Sequence, residues 1–112
     1  MIDEAMNNEM RKGFLKMIIL KMINDKPMHG YDIIHKIEEN THGHWEPSPG
    51  SVYPALEFLM SRGYVSMEEI DRKKMYSITP EGKEVILHLK KKRQEMLQEF
   101  NNLLGDSQEK KP

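Results

Sequence analysis

Two short stretches of this chain hold the groups best suited to grip a ligand. The first is Pro49-Gly50-Ser51-Val52-Tyr53-Pro54. An apolar stripe of Val52, Leu56, Leu59 and Met60 runs on from it at helical spacing. The first-turn amides of a helix lack intrahelical partners and lie at the positive end of its dipole, so phosphate oxygens suit them. Pro54 costs little in a first turn. The helix is therefore expected to start near Gly50 or Ser51, with Ser51 as cap and Ser51, Tyr53 and Pro54 on show. A tyrosine hydroxyl beside such a terminus suits a phosphate as well. The second stretch, Arg72-Lys73-Lys74, ends a charged segment that begins at Glu69. A charge run alone reads as solvated surface, so its position relative to the first stretch decides what it does.

Other chemistry finds little footing. His42, His44 and Glu46, with His29 or His35, could be forced into a metal site. The H-x-H spacing is common in loops and no third ligand is fixed, so no metal is expected. The absence of cysteine excludes disulfides and thiolate chemistry. Neither a phosphate-binding glycine loop nor a G-x-S-x-G elbow is present. Many carboxylates stand three or four residues from lysines, the spacing of surface ion pairs. Neither an enzyme nor a cofactor is expected.

The elements that must position these residues follow from periodicity. Met10 to Asn24 places Phe14, Leu15, Ile18, Ile19, Met22 and Ile23 at helical spacing, and Asp25-Lys26-Pro27 ends the run. A second helix is expected over His29 to Asn40, with Tyr31, Ile34 and Ile37 inward, so Tyr31 is read as mainly buried. The third carries the first stretch and closes at Arg62-Gly63. Alternation then replaces the helical period, with Val65 and Met67 on one side and, later, Tyr76 and Ile78 together. The spacing predicts a two-stranded hairpin whose loop of roughly four to six residues carries Arg72, Lys73 and Lys74. Thr79-Pro80-Glu81 is a helix start, and the last helix runs to about Leu104 before Gly105.

In that last helix Ile86, Leu89, Arg93, Met96, Phe100 and Leu103 alternate by three and four, the spacing of a coiled-coil seam. At roughly 36 Å the helix outruns the domain that would cover it. A second copy of the chain is its expected partner, with Phe14 of the first helix joining Ile86, Leu89, Met96, Phe100 and Leu103 in the interface. The order helix, helix, helix, hairpin is that of a winged helix-turn-helix, in which the third helix enters the major groove and the wing reaches the flanking backbone. The fold class is thus mainly α with a small β-hairpin, plus a long C-terminal dimerisation helix. The winged-helix unit is expected over 1–78, loosely helical or disordered at 1–9, with the helix over 79–104 and a flexible tail over 105–112.

The whole chain, 112 residues, 31% charged and 38% hydrophobic, fits one small folded domain. No apolar run is long enough for a membrane span, and the acidic start MIDEAMNNEM has no secretory h-region, which points to the cytoplasm. The formal net charge is −1, but its distribution is uneven. Residues 11–26 hold five basic groups against one acid, and residues 64–93 eight against five. A neutral total conceals local basic patches, so it does not exclude a polyanionic partner.

The residues HGYDIIHKI, W-x-x-S-P-G-S-V-Y-P-A-L-x-x-L from Trp45 to Leu59, RGYV, and Y-S-I-T-P-E-G-K from Tyr76 to Lys83 resemble the PadR-like transcriptional regulators. The likeness spans about residues 10–104. It implies a dimeric winged-helix repressor that binds inverted repeats in double-stranded DNA near its own genes, of the branch with one C-terminal helix. In such a protein Ser51, Tyr53, Pro54, Arg72, Lys73 and Lys74 would meet DNA, together with His29, Gly30 and Tyr31 at the start of helix two. Release by a small aromatic inducer at the dimer centre is also implied. Met6, Met10, Met17, Trp45 and Met96 are the candidate pocket, with Trp45 otherwise read as packing ahead of helix three. The wing lacks the glycine–arginine-rich tip common in the family. No arginine or asparagine stands on the exposed part of helix three, so sequence reading is expected to lean on DNA shape and water. The competing reading is a winged helix that serves chiefly as a protein- or ligand-binding module.

Overall fold

Periodicity and capping shape the chain much as its residues dictate. The computed structural model describes residues 4–105, without the side chains of Asn7, Asn8 and Met10. Its elements are α1 (Glu4–Asp25), β1 (Met28–His29), α2 (Gly30–Asn40), α3 (Pro49–Ser61), β2 (Val65–Ile70), β3 (Lys73–Ile78) and α4 (Pro80–Leu104). The candidate pocket side chain Met10 and the tail beyond Gly105 lie outside the described residues. The first three helices bury one stripe each: Leu15, Ile19, Leu20 and Ile23 from α1, Ile33, Ile34 and Ile37 from α2, Val52, Ala55, Leu56 and Leu59 from α3. Met28, Val65, Tyr76 and Ile86 close this single core from the sheet and α4.

Five details differ from what the pattern led us to expect. The helix α1 already includes Glu4, the first described residue, well ahead of Met10. The sheet has three antiparallel strands in the order β1-β3-β2, because Met28 and His29 pair with Tyr76 and Met75. Two residues are too few to show alternation, so β1 left no trace in the pattern. His29 is therefore the last strand residue and the cap of α2, not a residue of the helix. Tyr31 is 62% exposed, since the buried face of α2 is Gly30, Ile33, Ile34 and Ile37, one residue out of step with it. Met67 is also exposed although it pairs with the buried Tyr76, because β2 is an edge strand and β3 the central one.

The junction between α3 and α4 converts two sequence signatures into geometry. Gly63 adopts a left-handed φ of 79°. Its amide donates to the Met60 carbonyl (2.9 Å) and that of Tyr64 to Leu59 (3.0 Å), which closes α3 with the six-to-one and five-to-two bonds of a Schellman turn. Thr79 Oγ1 accepts from the Gly82 amide at 3.0 Å and donates to the Gly63 carbonyl at 2.6 Å. A side chain on Gly82 would collide with the Tyr64 carbonyl oxygen and with Ile78. One threonine thus caps α4 and ties it to the end of α3.

Candidate nucleic-acid interface

The third helix starts earlier than its stripe implied. Ser48, with φ −85° and ψ 158°, is the cap, and Pro49 is the first-turn proline. Pro54 therefore lies inside the helix, where it removes one backbone bond and leaves the Gly50 carbonyl without its usual donor. Ser51 is in the first turn and its amide reaches the Ser48 carbonyl at 3.0 Å. Ser48 Oγ makes no capping bond and lies 3.3 Å from Ser51 Oγ, so two hydroxyls stand beside the open amide of Gly50. Ser51, Tyr53 and Pro54 are exposed, as the pattern requires.

The wing is tighter than expected. Asp71 and Arg72 take φ 52° and 67°. Positive φ at both central residues marks a two-residue turn of type I′. Lys73 and Lys74 consequently belong to β3, where they pair with Ile70 and Glu69, and only Arg72 is at the tip. The longer loop was expected because Asp-Arg lacks the glycine that usually announces this turn.

His29, Gly30, Tyr31 and Asp32 from the start of α2, Tyr53 from α3, and Arg72, Lys73 and Lys74 from the wing line one open cleft. Three basic groups face one acid there. His29 Nδ1 lies 3.1 Å from the Lys74 carbonyl oxygen, a second tie between helix and wing beyond the strand pairing. Tyr31 stacks edge-on against His35 with ring centroids 4.5 Å apart. The Tyr53 ring lies directly over Gly30: a Cβ at that glycine would come within 2.6 Å of Tyr53 Cε1 and 2.9 Å of its hydroxyl. The glycine of HGYD and the tyrosine of SVYP are thus two halves of one contact, and only their spatial proximity reveals it. Behind them Tyr76 is buried, and that burial, together with nearby Tyr53 and Glu57, pushes its hydroxyl pKa upward. Seven of the nine residues expected to meet DNA line this cleft; Ser51 and Pro54 stand on α3 outside its lining.

The remaining candidates sit elsewhere. Ile86 is 4% exposed and belongs to the core of its own chain, so it is no interface residue. The first turns of α4 pack against α1 and β3 and bury Gly82 and Ile86, which claims that end of the stripe. Leu89 is half-buried, whereas Phe14, Met96, Phe100 and Leu103 are exposed. Met6 and Met17 on α1 are exposed too, and Trp45 is half-buried with the Arg11 guanidinium 5.4 Å from its ring centroid. Arg11 also donates to the His44 carbonyl at 3.3 Å, which fastens α1 to the loop ahead of α3. Lys16 lies 4.8 Å over the Phe58 ring, with Arg62 at 5.3 Å from the same ring.

A trihelical core with a small sheet, its third helix flanked by a two-stranded hairpin that carries Arg72, Lys73 and Lys74, is a winged helix-turn-helix. The profile of the transcriptional regulator PadR-like family matches residues 19–88, and the chain belongs to that family. Over 71 residues it is 38% identical to the transcriptional regulator YqjI of Escherichia coli (strain K12), covering 62% of this chain and 34% of that protein. A 37.1 kDa protein in transposon TN4556 of Streptomyces fradiae is 37% identical over 78 residues, 69% of this chain and 22% of its own length. The chain therefore spans about a third or less of these relatives. Among solved structures, a PadR-like transcription factor from Bacteroides fragilis superposes with a TM-score of 0.74 at 25% identity, covering 89% of this chain and 99% of that one. Bacillus subtilis PadR in complex with operator DNA gives 0.60 at 28% identity, over 66% and 45%. Membership of a family of transcriptional regulators bears out the reading that the chain is not an enzyme. No helix among the described residues is long and apolar enough to cross a membrane.

Proposed function

We propose that this protein is a cytoplasmic, homodimeric DNA-binding repressor that acts on a palindromic site close to its own gene. The observation that carries the reading is the convergence of Tyr53, the start of α2 and the wing cations Arg72, Lys73 and Lys74 on one cleft. The α3 helix would enter the major groove while Arg72, Lys73 and Lys74 hold the flanking phosphates. The relative from Bacillus subtilis, captured with operator DNA, supports the same partner here. Dimerisation is supported by α4: every residue from Lys90 to Leu104 is exposed, including Met96, Leu97, Phe100, Leu103 and Leu104. A lone helix of that length is marginal in water and needs a partner for its apolar face. A small aromatic inducer would act between the paired helices, where Met6, Met17 and Met96 offer adaptable contacts.

The test is fluorescence anisotropy with a duplex from the region upstream of the gene, against unrelated DNA, at two salt concentrations. Tight binding that prefers the upstream duplex and weakens with salt is expected. Equal, weak binding to both duplexes would overturn DNA as the main target and favour a protein- or ligand-binding module.

A further inference from the structure

The exposed face of α3 contains a group that the reading above leaves unused. Tyr53, Glu57 and Ser61 follow one another at four-residue spacing, so they share a face, and all three are exposed. Ser61 Oγ is engaged, donating to the Phe58 carbonyl at 2.7 Å. Pro54 and Phe58 beside them are apolar. Lys16 and Arg62 stack on the ring of the neighbouring Phe58, at 4.8 and 5.3 Å. None of the ion pairs or side-chain hydrogen bonds among the described residues involves its carboxylate. Glu57 is the strongest open hydrogen-bonding group on the face that Tyr53 leads.

An unpaired carboxylate on a surface that meets DNA repels every duplex. The penalty is offset only where a base presents a donor to it. In the major groove the amino donors are cytosine N4 and adenine N6. Adenine sets its N7 acceptor beside that donor, which repels the second carboxylate oxygen. Cytosine offers the amino group without it.

Resting on the DNA-binding reading, we infer that Glu57 is the base-reading residue of this protein and accepts a hydrogen bond from the N4 amino group of one cytosine in each half-site. The carboxylate works chiefly by exclusion. It lowers affinity for all sites that lack the donor, and so raises discrimination more than binding strength.

Binding selection from a randomised duplex pool, run with the full chain and with Glu57→Gln, tests this. The wild type should require a cytosine at one position per half-site, and Glu57→Gln should prefer adenine there, because an amide matches the N6–N7 pair. Glu57→Gln should also lose about tenfold in discrimination between the wild-type site and random DNA, chiefly by gaining on random DNA. A second probe leaves the protein untouched: N4-methylcytosine at that position removes the donor facing the groove and should weaken wild-type binding by a similar factor. If both proteins select the same sequence, or the methylated duplex binds as well as the plain one, the inference falls while the DNA-binding reading stands. If Glu57→Gln lowers the melting temperature and leaves the selected sequence alone, the carboxylate serves Tyr76 and the inference is overturned. A wild type that enriches no sequence overturns both readings.

Discussion

Substituting alanine for Gly30 would test the contact on which the cleft depends. The new Cβ would stand 2.6 Å from Tyr53 Cε1 and 2.9 Å from its Cζ and hydroxyl oxygen. Ordinary carbon contacts begin near 3.5 Å, so the ring must retreat by about 1 Å. Overpacking of this kind costs roughly 1–3 kcal/mol in a closed core. Tyr53 is 37% exposed, however, and can swing outward. The cost to folding should therefore fall near the lower limit, about 1 kcal/mol, or a drop of about 4 °C in Tm. Displacing the ring would remove its hydroxyl from the cleft, and the loss in promoter affinity should be about tenfold. Thermal unfolding followed by circular dichroism and anisotropy with the upstream duplex read the two effects. In a Tyr53→Ala background the same glycine substitution should cost nothing further in either assay, since no ring remains to displace. A Gly30→Ala protein that binds and melts like the wild type would refute the reasoning. So would an undiminished effect in the Tyr53→Ala background.

Three further outcomes are expected. Arg72→Ala should flatten the plot of log affinity against log salt by about 0.9, the share of one phosphate contact, with Tm unchanged; an unaltered slope would remove the wing tip from the interface. The Tyr76 hydroxyl is held above its usual pKa of 10.0, first by burial and then by Tyr53 and Glu57. Its folded pKa exceeds the unfolded one, so its contribution to stability is complete below about pH 10 and is lost as pH rises through the folded value. Denaturant unfolding across that range should show an alkaline decline that Tyr76→Phe reduces. Phe100→Glu with Leu103→Glu should shift sedimentation from dimer to monomer while leaving the core spectrum intact, because both side chains are exposed within one chain. A dimer that survives the pair would place the interface elsewhere.

Where one residue's periodicity or capping chemistry decides the outcome, the sequence was legible. The apolar stripes located the helices, and Thr79-Pro80-Glu81 marked the start of α4 to the residue. Places governed by pairs of distant residues were not. Strand β1 exists only because β3 offers Met28 and His29 an edge. The compact wing turn arises from positive φ at Asp71 and Arg72, which neither residue type announces. In α3 two prolines competed for the first turn, and Pro49 holds it, behind Ser48 in extended backbone at the cap position. Most of the cleft's residues were readable as candidates, yet the Gly30–Tyr53 contact was invisible, since the 22 positions between them carry no mark of it.

The bond from Thr79 to the Gly63 carbonyl has a mechanical consequence. It pins the tail of the helix proposed to enter the groove to the root of the helix proposed to join two copies. The joint is a fulcrum: a small tilt of one α4 against its twin would swing each α3 through an arc whose radius is the length of that helix. The distance between the two major-groove contacts in such a dimer would then be governed by the angle between paired rods, with no rearrangement inside either protomer. A molecule wedged between the rods would need to change that angle by only a few degrees to put the two helices out of step with successive turns of the duplex.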